Sequence, residues 1–184
     1  EIAKEFPDVY YIYVDNEIEG IDNLITISYA ENEGSFLAGA LAAMLTESKI
    51  IGMVGGMDIP VIRNFQVGYE AGAKYIDPDV EVETIFAEDF EDPAKGKEAA
   101  TALYSRGADI VFQVAGKTGE GVFEAAEELG KYAIGVDTDQ RYINPDVIVA
   151  SMVKKVGLSI YDTIENILKG EVNSGKVIYY GLEQ

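Results

Sequence analysis

The chain has 184 residues, with 14 Lys plus Arg against 33 Asp plus Glu and a formal net charge of −19. An acidic balance of this size repels phosphate backbones and anionic lipid, which argues against nucleic-acid or membrane-surface binding through charge. Cys, His and Trp are all absent, so disulfides, thiol nucleophiles and Ser-His-Asp triads are excluded and zinc chemistry nearly so.

The opening residues 1–8 read as the last turn of a helix running into a strand. That is an unusual place for a domain to begin, and the expectation is that something is missing upstream. Residues 9–14 then read as a strand ending at Asp15, and 24–29 as a second strand. Residues 34–45 form a helix rich in small side chains, suited to close packing under a sheet. A short strand at 50–54 opens into Gly55-Gly56-Met57-Asp58-Ile59-Pro60. The helix at 61–75 follows, with Phe65, Tyr69 and Ala73 spaced for one face.

After a turn at Asp77-Pro78-Asp79 come a strand at 80–87 and a helix at 93–105 with Pro93 in its first turn. A buried strand at 109–115 leads to a helix at 118–129, closed by Gly130. Strands are expected at 132–136, 147–153 and 177–180, with a helix at 157–168 ended by Gly170. No apolar run approaches the roughly 20 residues of a membrane helix. The alternation of strand and helix is the mark of βαβ units and a mainly parallel sheet. Residues 49–150 repeat most regularly and make a plausible domain. Residues 1–48 and 151–184 would then form a second lobe, with the chain crossing near 46–49 and 149–152.

The stretch Ala133-Ile134-Gly135-Val136-Asp137 is an apolar run that stops at a carboxylate. It reads as a strand buried on both faces, with Asp137 at the carboxyl end where open α/β sheets bind ligands. An Asp there accepts from a sugar hydroxyl, binds a metal, acts as a catalytic acid, or only caps the next turn. Asp137-Thr138-Asp139 is similar to the nucleophile loop of haloacid-dehalogenase phosphatases. That loop needs Thr or Val after the second Asp, where this chain has Gln140, and it sits in the first strand of its domain.

Phe90 falls among Glu88, Asp89, Glu91 and Asp92 and should be partly exposed. It suits stacking on a planar ligand, or a staple against the following helix. Lys154 ends an apolar strand and could donate to a ligand hydroxyl, pair with Asp137, or be a surface lysine. Gly116-Lys117-Thr118 resembles the end of a phosphate-binding loop, but the first Gly of that motif falls on Val111, inside a strand. The glycine-rich segments therefore read as tight strand-to-helix turns needing positive φ.

Several stretches occur together in order: 33–39, 52–60, 65–72, 92–97, 115–122, 135–140 and Ser151-Met152-Val153-Lys154. On these the chain resembles the Bmp/PnrA-like (basic membrane protein) family of extracytoplasmic nucleoside-binding lipoproteins. The resemblance implies an α/β, type I periplasmic-binding-protein fold with two doubly wound parallel-sheet lobes, 49–150 being the C-terminal lobe. It implies a non-catalytic receptor that closes over a nucleoside and passes it to an ABC permease, with no cofactor and no metal. By position, Asp137 matches the carboxylate that accepts from the ribose hydroxyls and Phe90 the aromatic that stacks on the base. Gly116 matches a backbone contact and Lys154 a polar contact, with Asp15 carried over more loosely.

Family members begin with an Asp-rich, Ser-Phe-Asn segment that this chain lacks. The resemblance thus implies a truncated receptor, lipid-anchored at full length. Its N-terminal lobe, 1–48 plus 151–184, would be incomplete, and the sheet edges left exposed would be open to homodimerisation. The alternatives are a ligand-sensing domain of a transcription regulator with the same fold and a Mg²⁺-dependent phosphatase using Asp137 and Asp139.

Overall fold

A computed structural model describes residues 1–172 and 174–183. The chain divides into two compact units, residues 1–30 with 154–184, and residues 31–153.

The smaller unit contains α1 (Ile2–Glu5), β1 (Tyr11–Val14), β2 (Leu24–Tyr29), α6 (Val156–Lys169) and β8 (Val177–Tyr180). Its three strands lie in the order β1-β2-β8, all parallel, so β1 and β8 are the edges. β2 is buried along its whole length, as its run Leu-Ile-Thr-Ile-Ser-Tyr demands of a central parallel strand. The opening turn is held by one side chain. The Asn23 amide donates to the carbonyls of Ala3 (2.7 Å), Phe6 (2.9 Å) and Val9 (2.8 Å).

The larger unit runs through α2 (Glu31–Leu45), β3 (Ile50–Gly55), α3 (Pro60–Ile76), β4 (Glu81–Phe86), α4 (Pro93–Ser105), β5 (Ile110–Val114), α5 (Glu120–Leu129), β6 (Tyr132–Asp137) and β7 (Ile148–Val153). The five strands are parallel in the order β4-β3-β5-β6-β7. Sequence order reverses between β3 and β5, and such a switch point opens a crevice outside the carboxyl ends of the strands. Helix ends follow the local chemistry. Asp92 caps α4 by accepting from the Ala94 N–H (3.0 Å), with Pro93 behind it. Gly130 and Gly170 close α5 and α6 at φ +61° and +75°.

The core of this unit lies on both faces of the sheet. Ile51, Met53, Phe65, Tyr69 and Phe112 fill the face under α2 and α3, and Phe112 packs its ring 5.3 Å from Tyr69 and 6.4 Å from Phe65. Val54, Leu103, Val111, Val122 and Phe123 fill the face under α4 and α5. Three glycines bring α2 and α3 into backbone contact. A Cβ on Gly39 would overlap the Tyr69 carbonyl, one on Gly68 the Asn32 carbonyl, and one on Gly72 the Phe36 carbonyl.

That contact explains a difference from the sequence expectation. α2 was expected with the flanking pieces and lies instead in the larger unit, because its small-residue face is fitted to α3. The chain leaves the smaller unit after Ala30, not near 46–49, and returns at Lys154.

Asp109 ties the loop after α2 to the start of β5. Its carboxylate accepts from the Thr46 hydroxyl (2.6 Å) and from the N–H groups of Glu47 (2.7 Å) and Ser48 (2.9 Å). Burial pushes its carboxyl up, but these hydrogen bonds outweigh that and hold it below the ordinary range. A carboxyl lowered on folding stabilises above its unfolded value, about 3.9, and that stabilisation fades as pH falls through the folded value. Asp109→Ala is expected to cost about 1 kcal/mol at neutral pH by removing the three hydrogen bonds that tether this loop, its exposed backbone donors turning to water. The difference from wild type should shrink below about pH 4, where the native carboxyl also protonates. Urea unfolding of both proteins at pH 7 and pH 3 checks this.

Candidate binding site

Phe90, Gly116 and Asp137 all stand at the carboxyl rim of the five-stranded sheet. Phe90 follows β4 in a loop held by two backbone bonds, Ala87 N–H to the Gly55 carbonyl (2.8 Å) and Asp89 N–H to the Gly56 carbonyl (3.0 Å). Its ring is half-buried and packs against the α3 side of the core. A Cβ on Gly56 would overlap that ring. Gly116 adopts φ +57° directly after β5 and opens a short 3₁₀ turn, Gly116–Gly119. The Thr118 N–H then reaches the Phe90 carbonyl (3.1 Å), and the Thr118 hydroxyl accepts from the Asp92 N–H (2.9 Å). The structure thus brings Phe90 and Gly116 together at the switch point.

Two of the acids around Phe90 serve the loop itself. Asp92 caps α4, and Asp89 pairs with Lys95 at 2.8 Å. The Lys95 ammonium and the Glu91 N–H hold the Asp89 carboxyl below its ordinary range. Of the glycines expected to need positive φ in these loops, only Gly116 has it. Gly55 and Gly56 are required instead by the close approach of Phe86 and Phe90.

Asp137 is the last residue of β6 and is exposed. Its φ is +66°, and the Thr138 N–H donates to the Val136 carbonyl across it (2.7 Å). Asp137 is therefore the centre of a three-residue turn whose positive-φ form is rare and strained. Asp tolerates the left-handed region better than most residues, yet the conformation costs about 1 kcal/mol. Strain of this kind collects where a side chain must be aimed.

In the smaller unit, Asp15 and Lys154 meet at the carboxyl rim of the three-stranded sheet. Asp15 follows β1 at φ +59°, a second strand-end Asp in the left-handed region. Lys154, with a side chain 6% exposed, donates to its carboxylate at 2.7 Å. The ammonium also lies 4.9 Å from the Tyr29 ring centroid, a cation–π contact that is favourable in a desolvated place. The Tyr29 hydroxyl shares a 2.5 Å hydrogen bond with Ser159. Burial pushes the Tyr29 phenol up, against the effect of that bond.

Residues that sequence reasoning passed over lie beneath the rim. Gln140 has no role of its own in the sequence reading, only a place at the end of the 135–140 stretch and a mismatch to the phosphatase loop. Its side-chain oxygen accepts from the Val136 N–H (2.8 Å) and from the amide of Gln113 (2.7 Å), which is fully buried. The signal was a Gln in the middle of the apolar run Ile110-Val111-Phe112-Gln113-Val114, since a buried amide must find partners.

The family model of PnrA-like ABC-transporter substrate-binding proteins, Bmp, matches residues 1–184. The chain belongs to the Bmp family. Among its Bmp relatives, the ABC transporter nucleoside-binding protein BmpA of Lactococcus lactis subsp. cremoris is 35% identical, over 98% of this chain and 56% of that protein. Basic membrane protein D of Borreliella burgdorferi is 39% identical, over 99% of this chain and 55% of that protein. The chain thus spans about half the length of the curated relatives it matches.

The crystal structure of an ABC transporter solute-binding protein from Aeropyrum pernix K1 superposes with a TM-score of 0.91 at 30% identity. The match covers 99% of this chain and 54% of that one. It establishes the expected type I periplasmic-binding-protein architecture for this Bmp chain. Transcription regulators superpose as well, at 22% identity or less, which shows a shared fold alone. Among the described residues no helix is long and apolar enough to cross a membrane.

Proposed function

We propose that the chain is a nucleoside-binding, non-catalytic receptor of an ABC importer, acting outside the cytoplasm and lipid-anchored in its full-length form. The observation that carries this reading is Asp137, an exposed carboxylate held in a strained turn at the carboxyl end of β6. On the same rim are the half-buried Phe90 ring and the Gly116 turn. A carboxylate accepts two hydrogen bonds from vicinal hydroxyls, and a π-face covers a base, so the pair suits a ribonucleoside. The surrounding acids disfavour a phosphate, which argues for the nucleoside over the nucleotide. Lys154 and Asp15, paired at the rim of the three-stranded sheet, are also proposed as ligand-binding residues. Pairing of a second copy along β1 or β8 is proposed with them, since both are sheet edges.

Family membership favours this over the phosphatase alternative, and the regulator alternative has only the fold in its support. The name of the Lactococcus lactis relative agrees with a nucleoside as ligand. Titration calorimetry with adenosine, guanosine, inosine and uridine tests the reading. Binding of at least one is expected, while silence with all four and clear binding of free ribose would overturn it. Phe90→Ala should weaken the best of them by about five- to a hundredfold, the range for losing one base–aromatic stack of about 1–3 kcal/mol. An affinity unchanged in that variant would remove Phe90 from the site.

A further inference from the structure

The strands β5 and β6 are paired at Ile110–Tyr132, Val111–Ala133 and Phe112–Ile134, and the pairing stops there. Both strands continue, β5 to Val114 and β6 to Asp137. Their outer partners stay paired to the end: β3 pairs with β5 through Gly55–Val114, and β7 with β6, after a register shift between Ala133 and Ile134, through Asp137–Val153. The sheet therefore splits between β5 and β6 just below the rim, with the Gly116 turn on one side and Asp137 on the other.

A parallel sheet that opens in this way leaves strand N–H and C=O groups without ladder partners, and buried ones must be satisfied otherwise. Two glutamines fill the split. Gln113, on β5, donates its amide to the Gln140 side-chain oxygen (2.7 Å), and the same oxygen accepts from the Val136 N–H on β6 (2.8 Å). The Gln113 side-chain oxygen turns up the strand and accepts from the Ala115 N–H (3.1 Å), the residue before Gly116. The Gln140 backbone N–H donates to the Ser151 hydroxyl on β7 (3.0 Å). A Cβ on Gly135 would come within 2.7 Å of both the Gln140 side-chain oxygen and the Ser151 hydroxyl, so a side chain there would push one or both aside.

We propose that the Gln113–Gln140 pair is a positioning brace for ligand binding. It sets the distance between the Gly116 turn and Asp137, and it holds Asp137 in its strained turn so that the carboxylate meets the ribose hydroxyls. The bond to Val136 lies one residue before Asp137, and Gln140 closes the loop three residues after it. The strained residue is thus pinned from both sides, the condition under which such backbone persists. Neither glutamine touches the ligand in this account; both act through Asp137. The ligand part rests on the nucleoside reading given above.

The experiment compares wild type with Gln140→Ala and Gln140→Glu in the 184-residue chain. Gln140→Glu keeps the acceptor for Val136 and Gln113. Two quantities are read: amide exchange at Val136, Asp137 and Thr138 without ligand, and the ratio of affinities for adenosine and 2′,3′-dideoxyadenosine. In Gln140→Ala, exchange at these amides should rise by about tenfold or more, and the preference for the ribonucleoside should fall by about tenfold, as expected for one lost hydrogen bond that orders a site. Gln140→Glu should restore most of both. The dideoxy compound lacks the hydroxyls that Asp137 would accept from, so its affinity should hardly change. Exchange unaltered in Gln140→Ala would overturn the brace. Raised exchange with an unchanged ratio would leave a structural pair and overturn the positioning role. Wild type that shows no preference for the ribonucleoside would overturn the nucleoside reading and the positioning role with it, and the exchange result would then decide only whether the pair holds the Asp137 turn.

Discussion

Asp137→Asn is expected to weaken nucleoside binding by about a hundredfold or more while moving folding stability by less than about 1 kcal/mol. Two neighbouring ribose hydroxyls donating to one carboxylate form charge-assisted bonds, each worth about 1.5–3 kcal/mol. An Asn offers one carbonyl oxygen and turns an N–H₂ group toward the second hydroxyl, so at least one of those bonds is lost and the other weakened. The backbone argument separates this from unfolding. Asn enters the left-handed region as readily as Asp, so φ +66° is kept without added strain. Calorimetry with adenosine and a thermal melt on the same samples distinguish the two effects. Affinity unchanged in the Asn variant would remove Asp137 from the ligand and with it the main support for a nucleoside receptor. Asp137→Gly should lose the same affinity yet melt no lower than the Asn variant, because glycine relaxes the turn.

The position of this residue was legible in the sequence, and the reason is physical. A run of apolar residues ending in an acid has few ways to bury itself except as a central parallel strand with the acid at its end, and β6 is that strand. Local chemistry made other boundaries equally plain. The strand Leu24–Tyr29 and the helix Pro93–Ser105 stand where the apolar run and the Asp92-Pro93 start put them. What stayed hidden depends on groups far apart in the chain. α2 begins at Glu31, before the small-residue run, and its place beside α3 is decided by overlaps between bare glycines and carbonyls on the other helix. Gln140 is adjacent in sequence to the site, but its partner Gln113 lies 27 residues away and comes from a different strand. The ion pair of Lys154 with Asp15 spans 139 residues and had no local signal at all.

The α2–α3 contact carries the second large effect, on stability. Gly72→Ala is expected to destabilise the protein by about 3 kcal/mol, with denaturant unfolding as the measurement. Two terms oppose each other at this site. Alanine is intrinsically favoured over glycine inside a helix by about 1 kcal/mol, so a solvent-facing glycine at the same place would be improved by the change. Gly72 faces inward: it is buried in α3, and the added Cβ would sit on the carbonyl oxygen of Phe36 in α2. A flexible side-chain tip could swing aside from such an overlap, but a helix carbonyl moves only with its helix. Gly39 and Gly68 make the same kind of contact with Tyr69 and Asn32, so the two helices are pinned along one seam and cannot pivot about a single point. Relieving the overlap must therefore lift α2 off α3 and loosen the packing over Tyr69 and Phe112, which the local helix gain cannot offset. Gly157→Ala is the control. That glycine, in the first turn of α6, has nothing near the place a Cβ would occupy, and the same substitution there should be neutral or slightly stabilising. A Gly72→Ala protein as stable as wild type would mean that α2 and α3 are not in backbone contact, and that the assignment of α2 to the larger unit fails with it.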